Sequence, residues 1–246
     1  MSKIKIKIVL IGHLRHQLNI CKIQKFRSSF FKIESIEEIN SIPNIPLDDC
    51  TYEAKFNKND VANLLHGDSF DGLVIGIMNY RYCDNFYMHH IEDNKVCISI
   101  AVIDTLLLQN NISLENFILK NILEIIVIKK ILEKLDDNNA MQLVHNDTRG
   151  CLFDMNGNNY DVIYNTEKPI ICDACKEFIH RKSTPKFFIR NLEKELKRIR
   201  KPFLCSLELF IKKYPLLSVL LTLTLTIVIN LVSNIIWELI KEKICL

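Results

Sequence analysis

The stretch from Leu216 to Ile240 reads LLSVLLTLTLTIVINLVSNIIWELI and carries no charge before Glu238. Crossing the hydrocarbon core of a bilayer takes about 20 predominantly apolar residues in a helix, so the length fits a span. The run is apolar on every face, with Thr222, Thr224, Thr226, Asn230, Ser233 and Asn234 as its main polar interruptions. Thr and Ser hydroxyls can return to the helix backbone and are tolerated in lipid. Asn230 and Asn234 lie at i,i+4 on one face, where interhelical hydrogen bonds would support a homo-oligomer. Trp237 suits the interface, with Lys241 and Lys243 beyond it. The alternative is a buried core helix, but globular cores rarely need so long a charge-free run at a C-terminus. The reading is one transmembrane helix over 214–240, a tail anchor followed by a short tail, 241–246.

Charge divides the rest of the chain. The formal net charge of +3 describes no part of it. Residues 1–175 hold 18 Lys+Arg against 23 Asp+Glu, whereas residues 176–213 hold 12 against 4. The basic segment puts Arg181, Lys182, Lys186, Arg190, Lys194, Lys197, Arg198, Arg200, Lys201, Lys212 and Lys213 just before the span. The positive-inside rule then places the N-terminal body in the cytoplasm. The opening MSKIKIKIVLIGHLRH agrees, having too short an apolar run for a signal peptide and no small-residue cleavage site. Within the basic segment Phe188, Leu192, Leu196 and Ile199 form one helical stripe before Pro202. That pattern suits a helix lying on anionic lipid headgroups, although a face packed on the body or a plain stop-transfer flank gives it too. A nucleic-acid partner is not expected, since no aromatic interleaving or binding motif accompanies the charge. The expected organisation is a body over 1–180, a basic juxtamembrane segment over 181–213, and the span.

The body reads as α/β, a mixed β-sheet with flanking helices. Lys3–Ile11 alternates Lys with Ile and then turns fully apolar, as a strand entering a core does. Further strands are expected over Phe31–Ile39, Asp71–Ile77 and Lys95–Val102, with a helix or mixed stretch in the twenties and a loop at Pro43 and Pro46. Asn59 or Asp60 would cap a short helix, and Ser113 would open a long one over Leu114–Leu135 that ends at Asp136. Gly12 stands alone after the first strand. No dinucleotide or P-loop glycine pattern and no G-x-S-x-G appears, which leaves nucleotide binding through those loops and nucleophile-elbow hydrolysis without support.

The most informative segment runs His145-Asn-Asp-Thr-Arg-Gly-Cys151-Leu-Phe-Asp154 and then Ile171-Cys172-Asp-Ala-Cys175. A C-x₂-C pair sets two thiolates on one tight turn, facing a common tetrahedral ion. Cys151 and His145 could complete a Cys₃His set. Thiolate and imidazole suit Zn²⁺, and four protein ligands leave no open position, so such a site is structural. Gly150 and Gly157 allow tight turns around it. Unrelated buried thiols and a thioredoxin-type redox pair are the competing readings. In a reducing compartment the nine cysteines read as ligands or core residues. Cys21, Cys50, Cys83, Cys97, Cys205 and Cys245 are core or incidental, with Cys205 and Cys245 near enough to the membrane for acylation.

Over roughly residues 3–180 the chain resembles the archaemetzincins, compact zinc peptidases of the metzincin clan. The resemblance rests on the opening strand, the Asp71–Ile77 strand with a hairpin through Ile100, the long helix and the Cys-rich end. That family carries H-E-x-x-H-x-x-G-x-x-H followed by Cys, then C-x-M, an Asp and C-x-x-C, the cysteines binding a second, structural zinc. The resemblance matches Cys151 to the Cys of C-x-M, with Phe153 in place of Met, Asp161 to the intervening Asp, and Cys172 and Cys175 to the final pair. By strict spacing His145 falls on the last catalytic His and Asn146 on the first Cys ligand; His145, one residue away, would supply the fourth ligand instead.

The departure is decisive. Peptidase chemistry needs two His at i,i+4 on one helix face and a Glu to activate water. The corresponding stretch, Leu135-Asp-Asp-Asn-Asn-Ala-Met-Gln-Leu-Val-His145, has neither. The other His cluster, His89-His90-Ile-Glu92-Asp93, reads as a solvated hairpin tip, while His13, His16, His66 and His180 are isolated. The expectation is therefore a non-catalytic, membrane-anchored module with structural Zn²⁺ that binds an unknown protein partner or a ligand at the membrane. The alternatives are a membrane-perturbing, defence-type effector whose span self-associates, and a divergent metal-dependent hydrolase working around His89, His90, Glu92 and Asp93.

Overall fold

Alternation along the first strand decides which way the body packs. In β1 (Ile4–Ile11), Ile6, Ile8 and Leu10 face one core cluster while Val9 and Ile11 face another, as the two-residue period of a strand requires. β1 lies between β2 (Phe31–Ile39) and β4 (Leu73–Met78), parallel to both. β4 pairs in parallel with β7 (Lys95–Ser99), and β6 (Met88–Glu92) closes the edge antiparallel to β7. The result is a five-stranded mixed sheet of order β2-β1-β4-β7-β6. A two-stranded ladder joins β3 (Lys55–Phe56) to β5 (Arg81–Tyr82). The computed structural model describes residues 2–14, 17–43, 45, 47, 53–67, 69–182, 184–201, 207, 210–211 and 214–244, in two compact units, Met1–Lys201 and Pro202–Leu246.

Helices α1 (Ile20–Gln24), α2 (Lys58–Leu65) and α3 (Ile103–Gln109) are short; α4 (Leu114–Leu132) is the centre of the body. Every residue of α4 from Glu115 to Ile128 is buried. Because it is covered all round, its run of Ile, Leu and Val shows little amphipathicity. The helix stops three residues short of the expected Leu135: Glu133 takes φ +61, a left-handed conformation that ends it, and Asp136 caps the next helix, α5 (Asp137–Met141). Asn57, not Asn59 or Asp60, caps α2, in a reciprocal capping box with Asp60. The strand expected over Lys95–Val102 ends at Ser99, and Val102, at φ +69, turns the chain into α3. His89 and His90 lie within strand β6, while the hairpin turns at Asp93 and Asn94.

Three further helices complete the first unit: α6 (Asn159–Glu167), α7 (Asp173–Arg181) and α8 (Phe188–Arg198). The stripe read as lipid-facing is instead part of the core: Phe188, Leu192, Leu196 and Ile199 are each at most 2% exposed. Glu195, buried beside them, accepts from Ser28 Oγ and Ser29 N–H, both at 2.6 Å. A bare amphipathic pattern reports an apolar face and not what covers it; here the body covers it. The basic side chains Arg190, Lys194, Lys197 and Arg198 face outward. The first unit therefore continues through α8 to Lys201, past the boundary expected at residue 180.

The second unit contains α9 (Pro215–Ile244), whose Pro215–Trp237 stretch is long and apolar enough to cross a membrane and has none of its residues buried. Ser218, Thr222 and Thr226 donate to carbonyls four residues back at 2.8 Å, and Thr224 to Leu221 O at 2.9 Å. The hydroxyls are thereby satisfied within the helix. The readings placed on His16, Pro46, Cys50, Pro202, Cys205, Lys212, Lys213 and Cys245 lie outside the described residues.

Candidate metal centre

Three stretches of chain, around residues 145, 150–154 and 170, are pinned together by short bridges. His145 pairs with Asp154 and Cys151 with Ile170, each in parallel register. His145 N–H donates to Phe153 O at 3.2 Å, Leu152 N–H to Ile170 O at 2.8 Å and Ile170 N–H to Gly150 O at 3.0 Å. Gly150 sits at φ +73, which lets the chain fold back at this point. Cys172 is the N-cap residue of α7, and Cys175 stands in that helix's first turn. A C-x₂-C pair so placed gains from the positive end of the helix, which favours thiolate.

The structure brings together all four residues singled out in the sequence. One ligand atom from each of His145, Cys151, Cys172 and Cys175 lies within 4.8 Å of every other. Cys151 Sγ and Cys175 Sγ are 3.9 Å apart, and His145 Nε2 is 3.5 Å from Cys172 Sγ. A tetrahedral Zn²⁺ with Zn–S near 2.3 Å and Zn–N near 2.0–2.1 Å requires edges of about 3.8 Å for S–S and about 3.5 Å for S–N. The observed separations match both. Cys151 and Cys175 are buried, while Cys172 and His145 are partly covered. The donor set and its spacing can therefore hold a metal ion, with no position left for a water.

The surroundings favour charge on sulfur. The Cys151 thiol is pushed down to about 5, chiefly by the hydrogen bond it shares with Cys175, with backbone N–H groups of Phe153 and Cys172 helping against burial. Cys175, the partner in that bond, is pushed far up. The Arg149 guanidinium stands 3.7 Å from Cys172 Sγ. On the imidazole side, His145 Nδ1 is 3.1 Å from Asp154 Oδ1, and that carboxylate is 1% exposed. Asp154 Oδ2 accepts from the N–H groups of Arg149 at 3.0 Å and Cys151 at 2.9 Å. His145 Nδ1 also faces the Asp147 carbonyl oxygen at 3.3 Å, and acceptors on Nδ1 favour the tautomer that leaves Nε2 free to ligate.

Asp154 has no assigned role in the sequence reading; its only signal there is its place nine residues after a candidate ligand. Asp161, matched through the resemblance to an intervening acid, instead closes the capping box of α6 by accepting from Asn158 N–H at 3.1 Å. His89 is tied to Asp84, Nε2 to Oδ2 at 2.9 Å, and packs edge-on against Tyr82. His90 is buried on the neighbouring strand position. Among the described residues, no second group of three or more His, Cys, Asp or Glu side chains gathers at metal-binding distance.

No protein-family profile matches the sequence, and no curated protein matches it either. Among solved structures the chain is similar to an archaemetzincin from Methanopyrus kandleri, with 12% identity and a TM-score of 0.45. The alignment covers 74% of this chain and 96% of the archaemetzincin chain. It is the family that the order of strands, long helix and cysteines resembles.

Proposed function

We propose that this protein is a non-catalytic, zinc-stabilised module held at a membrane by a single span, where its body binds a partner or ligand. His145, Cys151, Cys172 and Cys175 hold the zinc, which ties the segment after α4 to α7 and leaves no coordination position for substrate. The sequence lacks the paired His and Glu of a zinc peptidase. The observation that carries the membrane part is the Pro215–Trp237 helix stretch, uncharged, predominantly apolar and with no residue buried. Uncovered apolar surface of that extent is not left to water in a soluble protein. The surplus of Lys and Arg between 176 and 213 sets the body on the cytoplasmic face. Alkaline carbonate washing of membranes from cells expressing the full chain tests the reading. The protein should remain with the membrane and enter solution only with detergent; release by carbonate would overturn it.

A further inference from the structure

Between edge strand β6 and helix α4 lies a cavity of about 290 Å³ in the first unit. Met88, Met141 and Met155, three of the five methionines in the chain, form its walls. Methionine side chains are flexible and polarisable, and suit a variable apolar guest. Glu124 and Asp154 lie at its floor, 4% and 3% exposed. The volume is at the small end of ligand sites, enough for a single-ring molecule.

Each carboxylate keeps one oxygen without a hydrogen bond. Asp154 Oδ2 accepts from two backbone N–H groups, while its Oδ1 lies 3.1 Å from His145 Nδ1 without hydrogen-bonding it. Glu124 Oε2 makes no hydrogen bond; its nearest charge is Lys120 Nζ at 3.5 Å, along the helix at i,i+4. A buried carboxylate has acceptor capacity for several donors, and an unfilled capacity in low dielectric is costly. Lys120 is fully buried and does not line the cavity, so its charge is presented to Glu124 and not to an incoming molecule. A guest therefore meets two carboxylates, the imidazoles of His89 and His90, and apolar walls. Buried carboxylate oxygens without a hydrogen bond reward a cation with an apolar body. Among the described residues, the carboxylates and His side chains here do not gather as a metal-ligand set.

We propose that this cavity binds a small amphiphilic amine, its ammonium donating to Glu124 and its apolar body packed among Met88, Met141 and Met155. The site gives the module a ligand of its own, and it stands whether or not the span anchors the chain.

The test uses the full chain in lipid nanodiscs with ¹³C-methyl methionine and benzylamine as probe, with benzyl alcohol as its neutral counterpart. Benzylamine should shift the Met88, Met141 and Met155 methyl signals saturably and leave Met78, on the opposite face of the sheet, in place. Benzyl alcohol should bind at least tenfold more weakly. Glu124→Gln should weaken benzylamine at least tenfold and leave benzyl alcohol unchanged, and Met141→Trp, at the cavity mouth, should block both. If Glu124→Gln does not fold, the two probes on the parent and on Met141→Trp decide the matter. Equal affinity for amine and alcohol, benzylamine binding untouched by Met141→Trp, or no saturable shift with benzylamine overturns the proposal.

Discussion

Replacing Asp154 by Asn keeps the side chain's shape and removes one charged contact to His145. Asp154 Oδ2 holds the turn by accepting from Arg149 N–H and Cys151 N–H, and an amide oxygen can accept from both. The other end then presents an NH₂ where Oδ1 now faces His145 Nδ1 at 3.1 Å. The amide removes the negative charge that favours a proton on Nδ1 and leaves only the Asp147 carbonyl at 3.3 Å to hold it there, which weakens Nε2 as a ligand. Loss of such a supporting partner typically costs 10–100-fold in metal affinity. That is about 1.4–2.8 kcal/mol, taking tenfold as about 1.4 kcal/mol. Competition for zinc against a chromophoric chelator, on the full chain at fixed pH, measures it directly. Asp161→Asn is the control: Asp161 serves the cap of α6, and an amide oxygen can still accept from Asn158 N–H. Zinc affinity should fall 10–100-fold in Asp154→Asn and stay within twofold in Asp161→Asn. Parent-like affinity in Asp154→Asn, or an equal loss in both variants, refutes the reasoning.

Leu192→Ala should lower the stability of the body by about 2–5 kcal/mol, the usual range for a buried leucine truncated in a core; thermal unfolding that matched the parent would return α8 to the lipid surface. Burial raises the Glu124 carboxyl to about 7 from its ordinary 4.5. The folded state thus holds a proton that the unfolded state has released, and stability from this group falls as pH rises. The parent should therefore lose stability relative to Glu124→Gln between about pH 4.5 and 7 and run level with it above, as read by denaturant unfolding; a relative gain over that window contradicts the burial. Asn230→Leu with Asn234→Leu should reduce self-association of the full chain in detergent, where interhelical polar contacts contribute about 1–2 kcal/mol in model helices. An unchanged oligomer distribution in analytical ultracentrifugation would remove those side chains from the interface.

Strands are the part of this fold that the sequence displays best, because β1, β2 and β4 carry their burial in the spacing or continuity of Ile, Val and Leu. Residues 145, 151, 172 and 175 were also legible, since thiol and imidazole at those spacings leave few arrangements. Helix ends were less so: the left-handed residue closing α4 is Glu133, not a glycine, and nothing in its side chain announces the turn. The stripe of α8 looks the same from sequence whether a core or a membrane receives it; its burial and the Glu195 contacts with Ser28 and Ser29 distinguish the two. Lys120 and Glu124 have the spacing of a solvated surface pair, yet both are buried because α4 is enclosed on all sides. Asp154 escaped notice because its link to His145 depends on a parallel bridge between two turns of the chain.

The proposed module is built on a closed metal centre. Zinc K-edge X-ray absorption on the purified full chain tests it most directly. The account predicts one zinc per chain, with three sulfurs near 2.3 Å, one nitrogen near 2.0–2.1 Å and no water oxygen. A shell holding a water, or fewer than three sulfurs, would contradict it.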